Sequence, residues 1–162
     1  MFKHPFRVGF SFGLTSGVIT TLGIIVGLNS GTHSKAAVIG GILTLAIADS
    51  FSDALGIHFS EESEVRHNPK EIWQATFSTF LAKFLFISIF IGPFIFFDLA
   101  TAVIVSLILG FSILTAMCYK MAKDENKNFL ELAGSHLSLV FVVIFLVNYL
   151  GNLVSQIFKG GL

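Results

Sequence analysis

Asp49 and Asp53 stand four residues apart inside a stretch, residues 46–64 (AIADSFSDALGIHFSEESE), that belongs to an otherwise apolar segment of membrane-spanning length. On a helix that spacing puts both carboxylates on one face, a single turn from each other. An acid in a spanning helix costs roughly 2.5 to 3.5 kcal/mol on insertion scales, so two on one face must meet protein, water or a cation. Hard cations take carboxylate oxygens. Two close acids also titrate as a coupled pair and can carry protons. A third chemistry is purely structural: Lys83, in the next apolar segment and at a depth that could match, would pair with them. The readings are compatible if Lys83 releases the carboxylates when a cation arrives.

Further along the same segment, Glu61, Glu62 and Glu64, with Glu71, His58 and His67, form an acidic cluster. Such a cluster concentrates cations at the mouth of a pathway, although each single Glu taken alone reads better as the solvated end of a helix. The metal-ligand set expected from the sequence is therefore Asp49, Asp53, Glu61 and Glu64. Asp124, Asn126 and Asn128 have the spacing of a calcium loop, but Phe129 and Ser135 stand where its turn glycine and closing Glu belong, which excludes it. No phosphate loop, nucleophile–base pair or HExxH pattern is present in the sequence, so no enzymatic activity and no permanently bound cofactor are expected. Cys118, the single cysteine, excludes a disulfide framework and reads as a small apolar filler.

The elements that must position these residues follow from composition. Of 162 residues, 54% are hydrophobic and 12% charged, about half the charged share of a soluble domain, which is roughly a quarter. The class is an all-α integral membrane protein. A net charge of zero offers no basic patch for nucleic acid. Five segments approach or exceed the 20 or so apolar residues a spanning helix needs: 8–28, 36–59, 72–97, 99–119 and 133–158, making one transmembrane domain over 1–162. Asn29-Ser30-Gly31, Asn68-Pro69, Gly92-Pro93 with Asp98, and the closing Gly160-Gly161 mark the joints. No small-residue cleavage site follows the basic N-terminus, so the first helix is expected to remain as its own insertion signal. Lys3, Arg7, Arg66, Lys70, Lys120, Lys123 and Lys127 fall on one side, against Lys35 and Lys159 on the other, which predicts a cytoplasmic N-terminus and an outside C-terminus.

Polar and small residues recur at helical spacing. The first segment carries Gly9, Gly13, Ser16, Thr20, Gly23 and Gly27; such a seam admits another helix backbone, either within the chain or from a second copy, or walls a pore. The second carries Ala46, Asp49, Asp53, Gly56 and Ser60, with Ser50 and Ser52 nearby; the third Thr76, Thr79 and Lys83; the fifth Asn148, Asn152 and Gln156, with His136. The fourth is nearly featureless and is expected to face lipid. A polar path lined by Ser16, Thr20, Asp49, Asp53 and Lys83 fits this pattern better than a passive anchor.

With its first two segments read together, the chain resembles the vacuolar iron transporter family. The family's first helix begins with an Arg and carries G-x-N-D-G before a Thr/Gly-rich run; here Arg7 is followed by Gly13-Leu14-Thr15-Ser16-Gly17 and VITTLGIIVGL. Its second helix carries A-x-x-x-S-M-A-x-G-E-Y-x-S-x-x-S-E; here stand Ala48, Ser52-Asp53-Ala54-Leu55-Gly56-Ile57-His58, Ser60, Ser63 and Glu64. Gly92-Pro93 resembles the third-helix proline, and Asn148-Tyr149-Leu150-Gly151 the fifth-helix Y-x-x-G. The resemblance implies a homodimer of five-helix protomers in a prokaryotic plasma membrane. It implies a cation path lined by helices one and two, and exchange of a divalent cation, Fe2+ or Mn2+ first, for protons. Ser16, Asp53 and Ile57 replace the family's first-helix Asp, second-helix Met and second-helix Glu, and only the short 61–71 loop stands where eukaryotic members have a Glu-rich hairpin. A carboxylate lost from helix one thus reappears on helix two. Oxygen in place of a thioether moves the expected preference toward harder cations such as manganese, magnesium or calcium.

Overall fold

The computed structural model describes residues 4–64 and 68–159, and these form helices joined by short turns. In order they are α1 (His4–Thr32), α2 (Lys35–Ser63), α3 (Pro69–Ile89), α4 (Ile91–Phe96), α5 (Leu99–Glu125) and α6 (Phe129–Lys159). Five stretches are long and apolar enough to cross a membrane: Pro5–Thr32, Lys35–Ser63, Pro69–Phe96, Leu99–Glu125 and Phe129–Phe158. The protein is an all-helical membrane protein. Lys3, Arg66, His67 and Gly160-Gly161, used in the sequence argument, lie outside the described residues.

The helices run past the apolar segments because local capping, not hydropathy, ends them. α3 starts at Pro69 rather than residue 72: the Asn68 side chain accepts the Glu71 backbone N–H at 3.0 Å, and Glu71 accepts from the Asn68 N–H in return. Proline at the first helical position lacks only an N–H that would have no helical partner there. The third span is interrupted at Phe90, between α3 and α4. Pro93 cannot donate to the carbonyl four residues back and crowds it, so the break falls just upstream. α5 continues to Glu125 and stops where Asn126 turns left-handed at φ 53°. α6 starts at Phe129, with the Asn128 side chain accepting the Leu130 N–H at 2.9 Å.

The chain divides into two compact units, residues 1–21 with 42–91, and residues 22–41 with 92–162. In the first, the N-terminal half of α1 lies directly on α3. A Cβ at Gly13 would sit 2.5 Å from the Thr79 carbonyl oxygen, and one at Gly9 would collide with the Ala75 carbonyl and the Ser78 hydroxyl. Leu14, Val18, Ala46, Ala54, Ile72, Ala75, Ala82 and Ile87 fill this unit's core.

In the second unit, the C-terminal half of α1 meets α6. A Cβ at Gly151 would lie 2.5 Å from the Gly27 carbonyl, and the Ser30 hydroxyl donates to Asn148 Oδ1 at 2.5 Å. The glycines in both halves of the seam are therefore packed within one chain, whereas Ser16 and Thr20 between them face acids of α2. α5 buries Ala102, Ser106, Gly110, Leu114, Cys118 and Ala122, one residue per turn, and Gly110 receives the Leu22 side chain. The segment expected to be a featureless lipid face thus carries a packing stripe, four of whose residues (Ala102, Gly110, Cys118 and Ala122) are small and apolar, so that polarity hardly flags it. The most uncovered span is the fifth: 6% of its apolar window is buried inside the chain, against 22% for α5.

Candidate cation site

Three helices of the first unit converge on one ammonium. Lys83, two turns after Thr76 on α3, is fully buried, and its stem passes over α1 where a Cβ at Gly17 would come within 3.2 Å of Lys83 Cγ. Its Nζ lies 2.5 Å from Asp49 Oδ2, makes a closer ion pair with Asp53 Oδ2, and donates to Ser16 Oγ at 3.0 Å. Two of its protons are thus donated, to Ser16 and Asp53, and Asp49 adds a third oxygen by ion pairing. Ser16 Oγ donates onward to Asp53 Oδ2 at 2.8 Å. Thr20 Oγ1 donates to the Ser16 carbonyl at 2.8 Å and stands 3.3 Å from Asp49 Oδ2. The five residues expected to line a path, Ser16, Thr20, Asp49, Asp53 and Lys83, thus form one cluster.

Burial within the cluster is uneven. The lysine side chain is 1% exposed, whereas those of Asp49 and Asp53 are 26% and 22% exposed. The cation is enclosed, whereas both anions are partly exposed. With both acids ionised, the cluster carries one uncompensated negative charge.

Glu61 and Glu64 do not join it. They lie eight and eleven residues past Asp53 on and just after α2, roughly 12 and 16 Å along the axis at 1.5 Å per residue. Among the described residues no three His, Cys, Asp or Glu side chains come together to hold a metal, so the four-acid ligand set expected from the sequence is not assembled. Glu71 is engaged in the α3 cap.

His58 belongs elsewhere. Its Nδ1 is 2.9 Å from Thr76 Oγ1, and the same hydroxyl lies 2.8 Å from the Ile72 carbonyl. Trp73 stands edge-on to the same ring at 4.8 Å. His136 bonds within its own helix, to the Leu132 carbonyl at 2.9 Å. In the second unit Asn148 meets Ser30, and Asn152 donates to the Asn148 carbonyl at 2.9 Å; Asn148, Asn152 and Gln156 are all exposed.

The sequence did not indicate the Ser16–Lys83 contact or the Gly17 slot. The signal for the slot was present as a glycine one residue after a serine, on a helix whose other glycines follow the same seam.

Comparison of the chain with protein-family models, with curated proteins and with solved structures finds no match.

Proposed function

We propose that this protein carries cations across a membrane, with Asp49 and Asp53 as the cargo site and Lys83 as the counter-ion that holds the site between passages. The observation that carries the reading is the buried lysine set against two carboxylates that stay partly exposed. An arrangement serving only to neutralise charge has no need of a second acid, because one carboxylate already balances one ammonium. Charged groups in spanning helices that line a cavity mark ion pathways and proton relays.

The likeness to the vacuolar iron transporter family supplies the finer reading: a divalent cation of the iron and manganese class, exchanged for protons, in a prokaryotic plasma membrane with the N-terminus inside. The contact between Ser16 and Asp53 supports it, since the two positions at which an acid has changed helices do face each other. A homodimer is part of the same reading. Thr44, Ala48, Ser52, Gly56 and Ser60 form an exposed small-residue stripe on α2, and a Cβ at Gly56 would meet nothing within 4 Å, which leaves room for another helix backbone.

One observation favours a second reading, in which the cluster is a structural lock: the ammonium already has two carboxylates and a hydroxyl around it as it stands. Proteoliposomes containing a metal-sensitive dye decide between the two. Uptake of iron, manganese, calcium or magnesium, tested with and without a pH gradient, is the expected result. No flux for any of them leaves the lock.

A further inference from the structure

We infer that Lys83 is a tethered ammonium seated in the cargo position itself, so that cargo enters only by displacing it. The inference rests on the reading of Asp49 and Asp53 as the cargo site and says what holds that site when no cargo is present.

The geometry is that of a cation in an oxygen cage. Nζ is met by Asp49 Oδ2, Asp53 Oδ2 and Ser16 Oγ, drawn from α1 and α2, with Thr20 Oγ1 as a further oxygen beside Asp49. Carboxylate and hydroxyl oxygens are what a hard divalent cation would also require, and no other cation stands near them among the described contacts. The lysine reaches this cage from a third helix. Its stem is accommodated by the missing side chain of Gly17, and its own backbone N–H lies beside Gly13, where a Cβ would come within 3.1 Å. The cage therefore belongs to α1 and α2, and the ammonium is delivered to it from α3.

Two consequences follow from charge and tethering. With Lys83 seated, the two acids leave one negative charge; with Lys83 withdrawn, they present two, which a divalent cation balances. A resident occupant lowers the apparent affinity of any competitor by the fraction of time the site is closed. A covalently attached occupant also competes at high effective concentration. A divalent cation gains twice the attraction of a monovalent one from the same carboxylates, so it is the better displacer. Lys83 thus acts as a charge filter: it keeps monovalent cations out of a site built from general-purpose oxygens.

The test uses the full-length protein in detergent, with Mn2+ and methylammonium as probes. In Lys83→Met the stem volume is nearly kept and the ammonium is lost. Mn2+ should then bind about tenfold or more tightly than in the wild type, by electron paramagnetic resonance, in line with removal of a competitor. Methylammonium should displace Mn2+ from the variant and not from the wild type. If Lys83→Met is recovered unfolded, Mn2+ or methylammonium present during solubilisation should restore the folded species, since either replaces the missing charge. Restoration by neither, or a folded variant with unchanged or weaker Mn2+ binding, overturns the inference. The two proposals fail separately. Tight Mn2+ binding by Lys83→Met with no flux in wild-type proteoliposomes removes the transport reading and leaves the occupied cage. Wild-type flux with no gain of binding in the variant does the reverse.

Discussion

The two halves of α1 make the same kind of contact with opposite chemistry. The N-terminal half, through Gly9, Gly13 and Gly17, lies on α3 at Ala75, Ser78, Thr79 and Lys83. The C-terminal half, through Gly23, Gly27 and Gly31, lies on α6 at Val143, Val147 and Gly151. In both, glycine removes the side chain that would hold two helices apart, and in neither is there a hydrophobic driving force beyond what lipid already supplies. The difference lies in what faces the seam. Facing valine, close approach yields packing and one hydrogen bond between Ser30 and Asn148. Facing a lysine, the same approach encloses an ammonium that only acids can balance, and α2 provides two. Small residues set how closely helices approach; the residues opposite decide whether the contact does chemistry.

The largest expected effect tests the polar half. Asp53→Asn keeps the shape of the side chain and a carbonyl oxygen for the Ser16 hydroxyl, while removing one charge. Flux in proteoliposomes should be abolished with the helical fold retained. The paired change Ser16→Asp with Asp53→Met exchanges the acid across the 2.8 Å contact and should recover flux with a preference shifted toward iron(II). Normal flux in Asp53→Asn would remove the carboxylates from the mechanism. If the cluster is a lock, the result is a loss of stability instead, smaller than the roughly 3 to 5 kcal/mol of a buried charge left without any partner, because Asp49 still balances Lys83.

That cluster was largely legible in the sequence. Acids four apart within an apolar run and a lysine in the next run cannot be left unpaired in a membrane, so their meeting was close to forced. The ligands further along were misjudged because proximity in sequence on a helix is distance in space: Glu61 is only eight residues from Asp53 yet more than two turns away. The five spans were legible from hydropathy alone. Their ends were not, since Asn68 with Glu71, Asn126 and Asn128 cap by hydrogen bonds in polar sequence where hydropathy is silent. The packing stripe of α5 went unseen for a related reason: its alanines, glycine and cysteine differ from the lipid-facing residues in size and hardly in polarity.

Glycine substitutions sharpen the comparison at the next level. Gly13→Ala forces a Cβ against the Thr79 backbone, which cannot move as a side-chain tip can, so about 1 to 3 kcal/mol should be lost, typical of overpacking. Gly23→Ala meets Val143 Cγ1 at 3.8 Å and Val147 Cγ1 at 4.0 Å, ordinary contacts, and alanine is the better helix former by about 0.8 to 1 kcal/mol, so this variant should be unchanged or slightly more stable. Thermal unfolding in detergent reads both. Equal losses at the two positions would show that the halves of α1 are packed alike after all.

On the apolar half, Asn148→Leu removes the acceptor of the Ser30 hydroxyl. Hydrogen bonds between membrane helices average about 0.6 kcal/mol in double-mutant cycles, so the cycle with Ser30→Ala should give a coupling of that order. A coupling several times larger would mean that this half also depends on its polar contact, and the contrast with the lysine half would narrow.

The smallest effect lies outside both contacts, at the start of α5, where pH acts on a single exposed acid. Hydrogen bonds from Thr101, by its hydroxyl and by its backbone N–H at 3.2 Å to Asp98 Oδ2, hold the Asp98 carboxyl below the usual aspartate value. A carboxyl lowered in the folded state stabilises it above its ordinary value, near pH 4, and that contribution is lost as pH falls through the lowered value. The first-turn amides of α5, Thr101 and Ala102, should therefore keep their protection from hydrogen exchange at neutral pH and lose part of it in acid. Thr101→Val removes the hydroxyl and should move that loss to higher pH. Asp98→Asn still caps through its side-chain oxygen but has no proton to gain, so its protection should not depend on pH in this range. Against these changes, exchange within the Lys83 cluster serves as the internal reference. A midpoint that does not move in Thr101→Val would show that the cap is held by the backbone N–H alone.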